Sequence, residues 1–190
     1  MRDLEQRIQA AFEAVRREDF LPPEQRANAA LDRALPIGYD QTNSQPRTVA
    51  NMLALLDVRP GQRVLDVGSG SGWTTALLGI LVGPEGRVVA VELVPELVEW
   101  SRENLALYPM PWVSVRRADR DRLGVPEEGP YDRILVSAEA KELPQQLVDQ
   151  LAEPGVMVVP VAGRMLTVER RPGGAPRIRK HGHYAFVPLR

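Results

Sequence analysis

The sequence predicts an α/β fold: a doubly wound, mostly parallel sheet with an N-terminal helical extension and an antiparallel C-terminal hairpin. Short buried-strand patterns alternate with helical patterns between residues 61 and 162, and this alternation is typical of parallel strands joined by crossover helices. Amphipathic helical spacing precedes this region. Two strand-like runs around a turn rich in proline and glycine follow it, which predicts the hairpin.

The first 60 residues are predicted to be mainly helical. Apolar residues recur there at helical spacing, at Leu4, Ile8, Ala11, Phe12 and Val15. The stretch FLPPEQ at residues 20–25 ends this helix, because proline disrupts helical hydrogen bonding. A second helix is predicted over residues 48–56, with Pro46 where the helix begins and Ser44 or Gln45 as its cap.

The central region supplies the strands and helices of the sheet. Strands are predicted at residues 63–68, 87–92, 112–117, 131–137 and 155–162. Helices are predicted at residues 71–83, 95–107 and 143–151. After Gly163, runs on either side of residues 172–174 predict the antiparallel addition at the end of the sheet.

Composition narrows the class of protein. The 190 residues suit one domain, and 44% hydrophobic residues suffice for a substantial core. A net charge of −1 gives no global reason to expect nucleic acid or an acidic membrane as a partner. The absence of cysteine excludes disulfides and cysteine-bound metals. Neither a secretory leader nor an apolar run of membrane-spanning length is recognised, so we expect a cytoplasmic protein.

A glycine loop, LDVGSGSGW at residues 65–73, joins the first central strand to its helix. Gly68, Gly70 and Gly72 allow the backbone to approach a ligand closely, with φ values that other residues resist. Their G-x-G-x-G spacing differs from the dinucleotide pattern G-x-G-x-x-G. The loop follows the carboxyl end of a predicted strand, where α/β sheets bind their ligands.

Acidic residues accompany this loop at the ends of the predicted strands. Glu92 ends the second central strand, where a carboxylate can accept both hydroxyls of a ribose, and Asp119 follows the third, within reach of an adenine edge. Asp66 lies within the glycine motif and could orient the loop or attract a cationic ligand through bound water. This combination fits S-adenosylmethionine, which has a ribose, an adenine, an amino-acid end and a sulfonium but no pyrophosphate. The predicted cofactor-binding residues are Asp66, Gly68, Ser69, Gly70, Gly72, Glu92, Leu93, Asp119 and Ser137. No metal site is predicted.

The segment IGYDQTNSQP at residues 37–46 carries five consecutive uncharged polar side chains before an apolar helix. Taken alone, it is either a solvated loop that caps the helix or a surface that contacts a ligand.

The chain resembles the protein-L-isoaspartate O-methyltransferase family along nearly all its length. The motifs that carry the resemblance are FLPPE, LPIGYDQTNSQP, VLDVGSGSGW, VVAVELVPELVEWSRENL, YDRILVSAEAKELP, VVPVAG and FVPL. Many methyltransferases share the glycine loop, whereas the LPIG segment and the closing FVPL are more specific to this family. The resemblance implies a Rossmann-like methyltransferase domain dependent on S-adenosylmethionine. Within it, residues 1–60 form the helical and acceptor-site segment, residues 61–162 the cofactor-binding core and residues 163–190 the hairpin.

The resemblance also implies the activity. This family methylates the abnormal carboxylate of isoaspartyl or D-aspartyl residues in damaged proteins, and isoaspartyl-containing proteins and peptides are its partners. Thr42 and Ser44 are then expected to contact the substrate as catalytic residues, with Ser44 the stronger candidate. Neutral hydroxyls can hold an anion without quenching its nucleophilicity. Because a carboxylate is already ionised at neutral pH, no general base is needed, and His181 and His183 are expected on the surface of the hairpin. We expect a monomer that binds neither nucleic acid nor membrane.

Several positions depart from the family pattern. Asn43 stands where an apolar residue is usual, Ala118 and Arg120 replace the glycines that usually flank the adenine-side acid, and Trp73 replaces a tyrosine; Glu139 and Lys141 fall in a usually uncharged run. Two alternatives therefore remain. The chain is a methyltransferase of the same fold with another acceptor, or it binds S-adenosylmethionine without isoaspartyl activity.

Two further readings are less favoured. The C-terminal arm carries a cluster of basic residues that suggests nucleic-acid binding: Arg164, Arg170, Arg171, Arg177, Arg179 and Lys180. A charged edge hairpin that resists aggregation explains the same residues. This explanation is favoured because no aromatic platform on which bases could stack accompanies the basic residues. A nicotinamide-dependent enzyme is disfavoured by the glycine spacing.

Overall fold

The structure is a computed structural model that describes residues 2–190. Its helices are α1 (Arg2–Ala14), α2 (Pro46–Leu56), α3 (Trp73–Val82), α4 (Pro95–Leu105) and α5 (Gln145–Val148). Its strands are β1 (Leu35–Gly38), β2 (Gln41–Asn43), β3 (Arg63–Val67), β4 (Arg87–Glu92), β5 (Val113–Arg117), β6 (Tyr131–Val136), β7 (Leu151–Val161), β8 (Arg164–Arg170) and β9 (Arg177–His183). Short 3₁₀ turns occupy Arg17–Phe20, Pro23–Asn28 and Pro126–Glu128.

Seven strands form the main sheet in the order β5-β4-β3-β6-β7-β8-β9. Strands β3 to β7 pair in parallel, and β8 pairs antiparallel with both β7 and β9. The predicted fold class and C-terminal hairpin are therefore confirmed. The chain proceeds outward from β3 to β5 and then returns to the other side of β3. The carboxyl ends of β3 and β6 thus meet at a topological switch point, where open α/β sheets form a ligand crevice.

Both faces of the sheet are buried along its central strands. Val64 and Val88 point to one face and pack with α1, α2 and α3, whereas Leu65 and Val89 point to the other and pack with the α5 residue Leu147. Adjacent strand residues alternate between faces, so central strands covered on both sides read as continuous apolar runs. This is why the bounds of β3, β4, β5 and β6 could be predicted to within a residue. The strand predicted at residues 155–162 is wrong at its start, because β7 begins four residues earlier, at Leu151.

The predicted helix at residues 143–151 is wrong in length. Only Gln145–Val148 is helical, and Leu151 begins β7 instead. Leu151 pairs with Tyr131 of β6, and the Tyr131 N–H donates to the Gln150 carbonyl at 2.8 Å. The apolar residues in helical phase thus include one that belongs to the sheet, and strand pairing decides its conformation.

The polar segment before α2 also differs from expectation. It is not a plain loop, because β1 and β2 form an antiparallel hairpin in which Leu35 pairs with Asn43. Helix α2 begins at Pro46 as predicted, but neither predicted cap is used: the N-cap residue Gln45 makes no side-chain cap hydrogen bond. Instead, Asp32 Oδ1 accepts a hydrogen bond of 2.9 Å from the Arg47 N–H. The Asp32 carboxylate, which is distant in sequence, thus caps the N-terminus of α2 in place of a neighbouring residue.

The longest helix of residues 2–190 has 13 residues. Within this described part of the chain, no helix combines the length and apolarity needed to cross a membrane.

Candidate functional site

A cavity of about 430 Å³ opens at the carboxyl ends of β3, β4 and β6. Loops that follow these strands form one wall, and the end of the β1–β2 hairpin and residues 187–190 form others. The predicted site residues that line it are Thr42, Ser44, Gly68, Ser69, Gly70, Glu92, Leu93, Asp119 and Ser137. Asp66 and Gly72 are not among its lining residues. The structure therefore brings nine of the eleven predicted residues to one cavity.

The glycine loop depends on backbone conformations that favour glycine. Gly68, Gly70 and Gly72 have φ values of 79°, 55° and 94°. A Cβ added at Gly70 would lie 3.3 Å from Ile37 Cδ1, so the loop also needs a small residue where it meets β1. Gly72 does not reach the cavity but precedes α3 as its N-cap residue. Its left-handed conformation ends the loop, and α3 therefore begins at Trp73 rather than at the predicted residue 71.

Glu92 is the most highly connected acid of the cavity. It is only 7% exposed. Its Oε2 accepts from the Gly70 N–H at 2.8 Å, and its Oε1 accepts from the N–H groups of Leu93 at 2.7 Å and Val94 at 3.0 Å. These bonds occupy three of about four acceptor positions of a carboxylate. Glu92 therefore fastens the glycine loop and keeps one acceptor position, on Oε2, for a hydroxyl in the cavity.

Asp66 lies behind the loop rather than in the cavity. It is fully buried, and its Oδ2 accepts from Thr75 Oγ1 at 2.7 Å, which ties β3 to α3. Its Oδ1 has no hydrogen-bond partner within residues 2–190. Burial raises the pKa of Asp66 to about 7; the Thr75 hydrogen bond opposes this shift and the charge of Glu92 adds to it. Of the two roles expected for Asp66, this buried position behind the cavity better suits orientation of the loop.

Asp119 and Ser137 line the cavity from the loops that follow β5 and β6. Asp119 follows β5 and is exposed, and its Oδ1 accepts from the Asp121 N–H at 2.9 Å. Ser137 follows β6, and its N–H donates to the Val67 carbonyl at 2.8 Å. Parallel strands end at the same edge of the sheet, which is why residues so distant in sequence line one opening.

The wall formed by the end of the β1–β2 hairpin presents neutral side chains. Thr42 is exposed and Ser44 is half-buried, and both line the cavity, as does the intervening Asn43. Asn43 is only 4% exposed. Its Oδ1 accepts from Arg17 Nε at 2.8 Å, and its Nδ2 donates to Ser71 Oγ at 3.4 Å. The amide of Asn43 is thus engaged within the protein.

Arg17 places a positive charge behind this neutral wall, and sequence reasoning missed it. The residue is 7% exposed, and its guanidinium lies 5.2 Å from the centroid of the Trp73 ring. Burial lowers its pKa to about 10, and the nearby Asp32 partly opposes that shift. In the sequence, Arg17 sits in the charged run RREDF, which gives no signal that this arginine alone turns inward.

The C-terminal tail is a second feature that sequence reasoning did not place. Glu139 N–H donates to the Val187 carbonyl at 2.7 Å, and Leu189 N–H donates to the Glu139 carbonyl at 2.8 Å. These bonds hold residues 187–190 against the loop after β6, where they line the cavity. The FVPL motif was the available signal. Glu139 itself is not a lining residue. Further lining residues that were not predicted include Ser71, Trp73, Thr74, Val94, Pro95, Arg120, Arg122 and Leu123.

The two histidines lie in the hairpin as expected. Both belong to β9, where His181 Nε2 is 3.1 Å from Thr167 Oγ1. Within the described residues, neither lines the cavity.

The cavity fits a nucleoside-like ligand. Its volume lies in the range of small-molecule sites. The glycine loop provides a close approach, and the carboxylates of Glu92 and Asp119 accept hydrogen bonds from hydroxyl or amine groups. Gly68 has Ala138 beside it, since a Cβ added there would lie 3.6 Å from that of Ala138. This donor and acceptor set suits a ribose and an adenine without a pyrophosphate.

Comparisons with known proteins identify the family that this chain resembles. The family model described as protein-L-isoaspartate(D-aspartate) O-methyltransferase matches residues 3–190. A relative from Methanopyrus kandleri named protein-L-isoaspartate O-methyltransferase is 45% identical over 188 residues, which cover 96% of this chain and 83% of the relative. A solved structure of the same name aligns with a TM-score of 0.88 at 26% identity and covers 98% of this chain and 62% of that chain. A structure from Plasmodium falciparum, described as a protein of this kind in complex with S-adenosyl-L-homocysteine, has a TM-score of 0.86 at 26% identity, covering 97% of this chain and 90% of that one.

Proposed function

The chain belongs to the protein-L-isoaspartate O-methyltransferase family, and we propose that it transfers a methyl group from S-adenosylmethionine to the abnormal carboxylate of isoaspartyl residues in damaged proteins. One observation carries this proposal: a single cavity joins the glycine loop and Glu92 to the neutral wall of Thr42 and Ser44. A methyl donor and an anionic acceptor bound on these two walls would face each other.

The wall formed by the glycine loop, Glu92 and Asp119, called the cofactor wall, is proposed to bind the nucleoside. Gly68 and Gly70 give the nucleoside close access to the backbone, Glu92 accepts a ribose hydroxyl through Oε2, and Asp119 accepts from the adenine edge. When bound, S-adenosylmethionine supplies an electrophilic methyl group on its sulfonium. Asp66 acts on the loop from behind, through Thr75.

The wall formed by Thr42, Asn43 and Ser44 would face the methyl acceptor and is called the acceptor wall. It is proposed to orient the substrate and not to activate it. A carboxylate is ionised at neutral pH, so Ser44 and Thr42 need only donate hydrogen bonds that aim one oxygen. Alignment and desolvation of two reactants can lower a barrier by about 7–11 kcal/mol. The catalytic role of the two hydroxyls is thus positional.

A different acceptor is less well supported by the structure. The two departures that motivate it are Asn43 and Glu139. The amide of Asn43 is engaged by Arg17 and Ser71, and Glu139 contacts the C-terminal tail through its backbone without lining the cavity. Asn43 lines the cavity, but its amide is engaged within the protein, and the Glu139 side chain does not line the cavity, so neither residue favours another substrate.

We also propose that the chain acts as a single domain and a monomer on isoaspartyl-containing proteins and peptides. Both walls of the cavity come from one chain, which supports this proposal. The cytoplasmic location expected from the sequence stays a prediction.

The test is a transfer assay with S-adenosylmethionine labelled in its methyl group. We expect label in an isoaspartyl peptide and none in the matching peptide with a normal aspartyl residue. Titration with S-adenosylhomocysteine in the same samples reports cofactor binding. Binding without transfer to the isoaspartyl peptide would contradict the proposed activity and favour a homologue that only binds the cofactor.

A further inference from the structure

Arg17 is a buried cation whose hydrogen bonds go to neutral oxygens. Its guanidinium donates to Asn43 Oδ1 and to the backbone carbonyls of five residues, at distances between 2.8 and 3.3 Å. Those carbonyls belong to Ala29, Leu31, Arg33, Asn43 and Ser44. A guanidinium has five N–H groups in a rigid fork, so this set occupies its full donor capacity.

The acceptors of Arg17 come from two parts of the chain. Residues 29–33 precede the β1–β2 hairpin, Asn43 is the last residue of β2, and Ser44 follows it. Arg17 Nη2 donates to the Ser44 carbonyl at 2.9 Å and to the Arg33 carbonyl at 2.8 Å. One side chain thus holds both ends of the hairpin, and it holds Ser44 by its backbone while leaving the serine hydroxyl to the cavity.

Asn43 extends this connection to the glycine loop. Its Nδ2 donates to Ser71 Oγ at 3.4 Å, and Asn104 Nδ2 holds the Ser71 carbonyl at 3.0 Å from the other side. The Arg17 guanidinium also lies over Trp73, the first residue of α3. The acceptor wall and the cofactor wall are therefore joined by polar contacts as well as by apolar packing.

Each of these contacts satisfies a polar group that is buried. Loss of one partner leaves a buried charge or a buried amide without its hydrogen bond, which costs more than the bond itself contributes. The contacts consequently favour one relative position of Ser44 and the glycine loop.

We propose that Arg17 and Asn43 form a positioning joint that sets the location of Ser44 relative to the glycine loop. For its kinetic consequences, this inference rests on the proposed function. Neither side chain needs to touch the reacting atoms. A misplacement of about 1 Å can slow a reaction about 100-fold, so the joint affects methyl transfer while leaving cofactor binding nearly intact.

The test compares Asn43→Leu with Asn43→Asp. Leucine removes the amide, whereas aspartate keeps an acceptor for Arg17 and can accept from the Ser71 hydroxyl. With isoaspartyl peptide as substrate, we expect Asn43→Leu to lower kcat by about 10- to 100-fold. Its affinity for S-adenosylhomocysteine should change by less than about threefold, because hydrogen bonds to that ligand are not removed. Hydrogen exchange of amides in residues 35–44 should become faster, and Asn43→Asp should restore both properties.

Arg133→Met is the matched control. Arg133 is also partly buried, and it donates to the backbone carbonyls of Asp57 at 3.1 Å and Asp132 at 2.9 Å, near the start of β6 and away from the cavity. We expect this variant to lose thermal stability while kcat and exchange at residues 35–44 stay unchanged. If Asn43→Leu does not fold, Ser71→Ala carries the test, because it cuts the link to the glycine loop and keeps the bond between Arg17 and Asn43.

The inference is overturned if Asn43→Leu keeps the wild-type kcat and exchange rates, or if Asn43→Leu and Arg133→Met change both properties alike. It is likewise overturned if Ser71→Ala, where that variant carries the test, keeps the wild-type values. A wild-type chain that transfers no methyl group to isoaspartyl peptide would contradict the proposed function instead. The exchange measurements would still decide on the joint in that case.

Discussion

The Gly70 N–H donates a hydrogen bond of 2.8 Å to Glu92 Oε2, so the acid that ends β4 also holds the glycine loop. Glu92 therefore has two roles, although the sequence places it in a different motif from the glycine loop. Its carboxylate shapes the loop from within the protein and offers an acceptor to the cavity. A substitution at Glu92 should affect ligand binding both directly and through the loop.

Glu92→Ala should weaken binding of S-adenosylhomocysteine by about 10- to 100-fold, since hydrogen bonds to charged groups contribute about 1.5–3 kcal/mol. Isothermal titration measures this change. Glu99→Ala serves as the control, because Glu99 is an exposed residue of α4 that pairs with Arg102. Unchanged affinity in Glu92→Ala would remove this residue from the proposed site.

Ser44→Ala should lower kcat for isoaspartyl peptide by about tenfold or more, because a hydroxyl that aims an anionic carboxylate is lost. The backbone bond from Arg17 to the Ser44 carbonyl remains, so cofactor affinity should stay within about twofold of wild type. Transfer kinetics and titration are compared with those of Ser114→Ala, a serine of the edge strand β5. Equal loss of transfer and cofactor affinity would assign Ser44 a structural role or place it on the cofactor side.

Asp66 predicts a pH-dependent stability. Burial raises its pKa from 3.8 to about 7. Below the lower value the carboxyl is protonated in both the folded and the unfolded state. Between the two values, the folded state keeps the proton and the unfolded state loses it. The contribution of Asp66 to the free energy of unfolding therefore falls as pH rises through this window, and the full cost of the buried charge is reached above about pH 7.

Asp66→Asn should remove this dependence, because an amide can still accept from Thr75 but does not ionise. We expect the variant to gain stability relative to wild type, on the order of 2–3 kcal/mol, as pH is raised from about 5 to about 8. Urea unfolding at the two pH values measures this difference, in which the other titrating groups cancel. A stability difference that does not change with pH would mean that Asp66 is ionised throughout.

Gly79→Ala should destabilise the protein, although alanine in a helix interior is normally more stable than glycine by about 0.5–1 kcal/mol. A Cβ at Gly79 would lie 2.7 Å from Met110 Sδ and 2.7 Å from Val113 Cγ2. Overpacking of this kind costs about 1–3 kcal/mol. Urea unfolding should show the loss, and adding Met110→Ala should cost less in Gly79→Ala than in wild type. A more stable Gly79→Ala variant would contradict the close packing of α3 against β5.

Much of the fold could be predicted because its signals are local. The strand at residues 87–92 was predicted with the bounds it has in the structure, and residues 63–68 and 131–137 with one residue too many. Strands buried on both faces are short apolar runs that neighbouring residues alone define. The loop glycines likewise predict a backbone with positive φ values, which only glycine readily adopts.

Tertiary structure alone decided the conformation and contacts of residues whose partners are far away in the sequence. Leu151 joined a strand because Tyr131 lay beside it. Arg17 turned inward because the carbonyls of two chain segments converged on it, and Asn43 became a connection between walls because Ser71 stood opposite. By itself, the sequence determined the alternation of elements, the glycine loop and the acids at the strand ends, since hydrophobic periodicity and backbone conformation are properties of adjacent residues. The polar contacts that join the two walls depend on the distance between segments, and only packing of the whole chain establishes that distance.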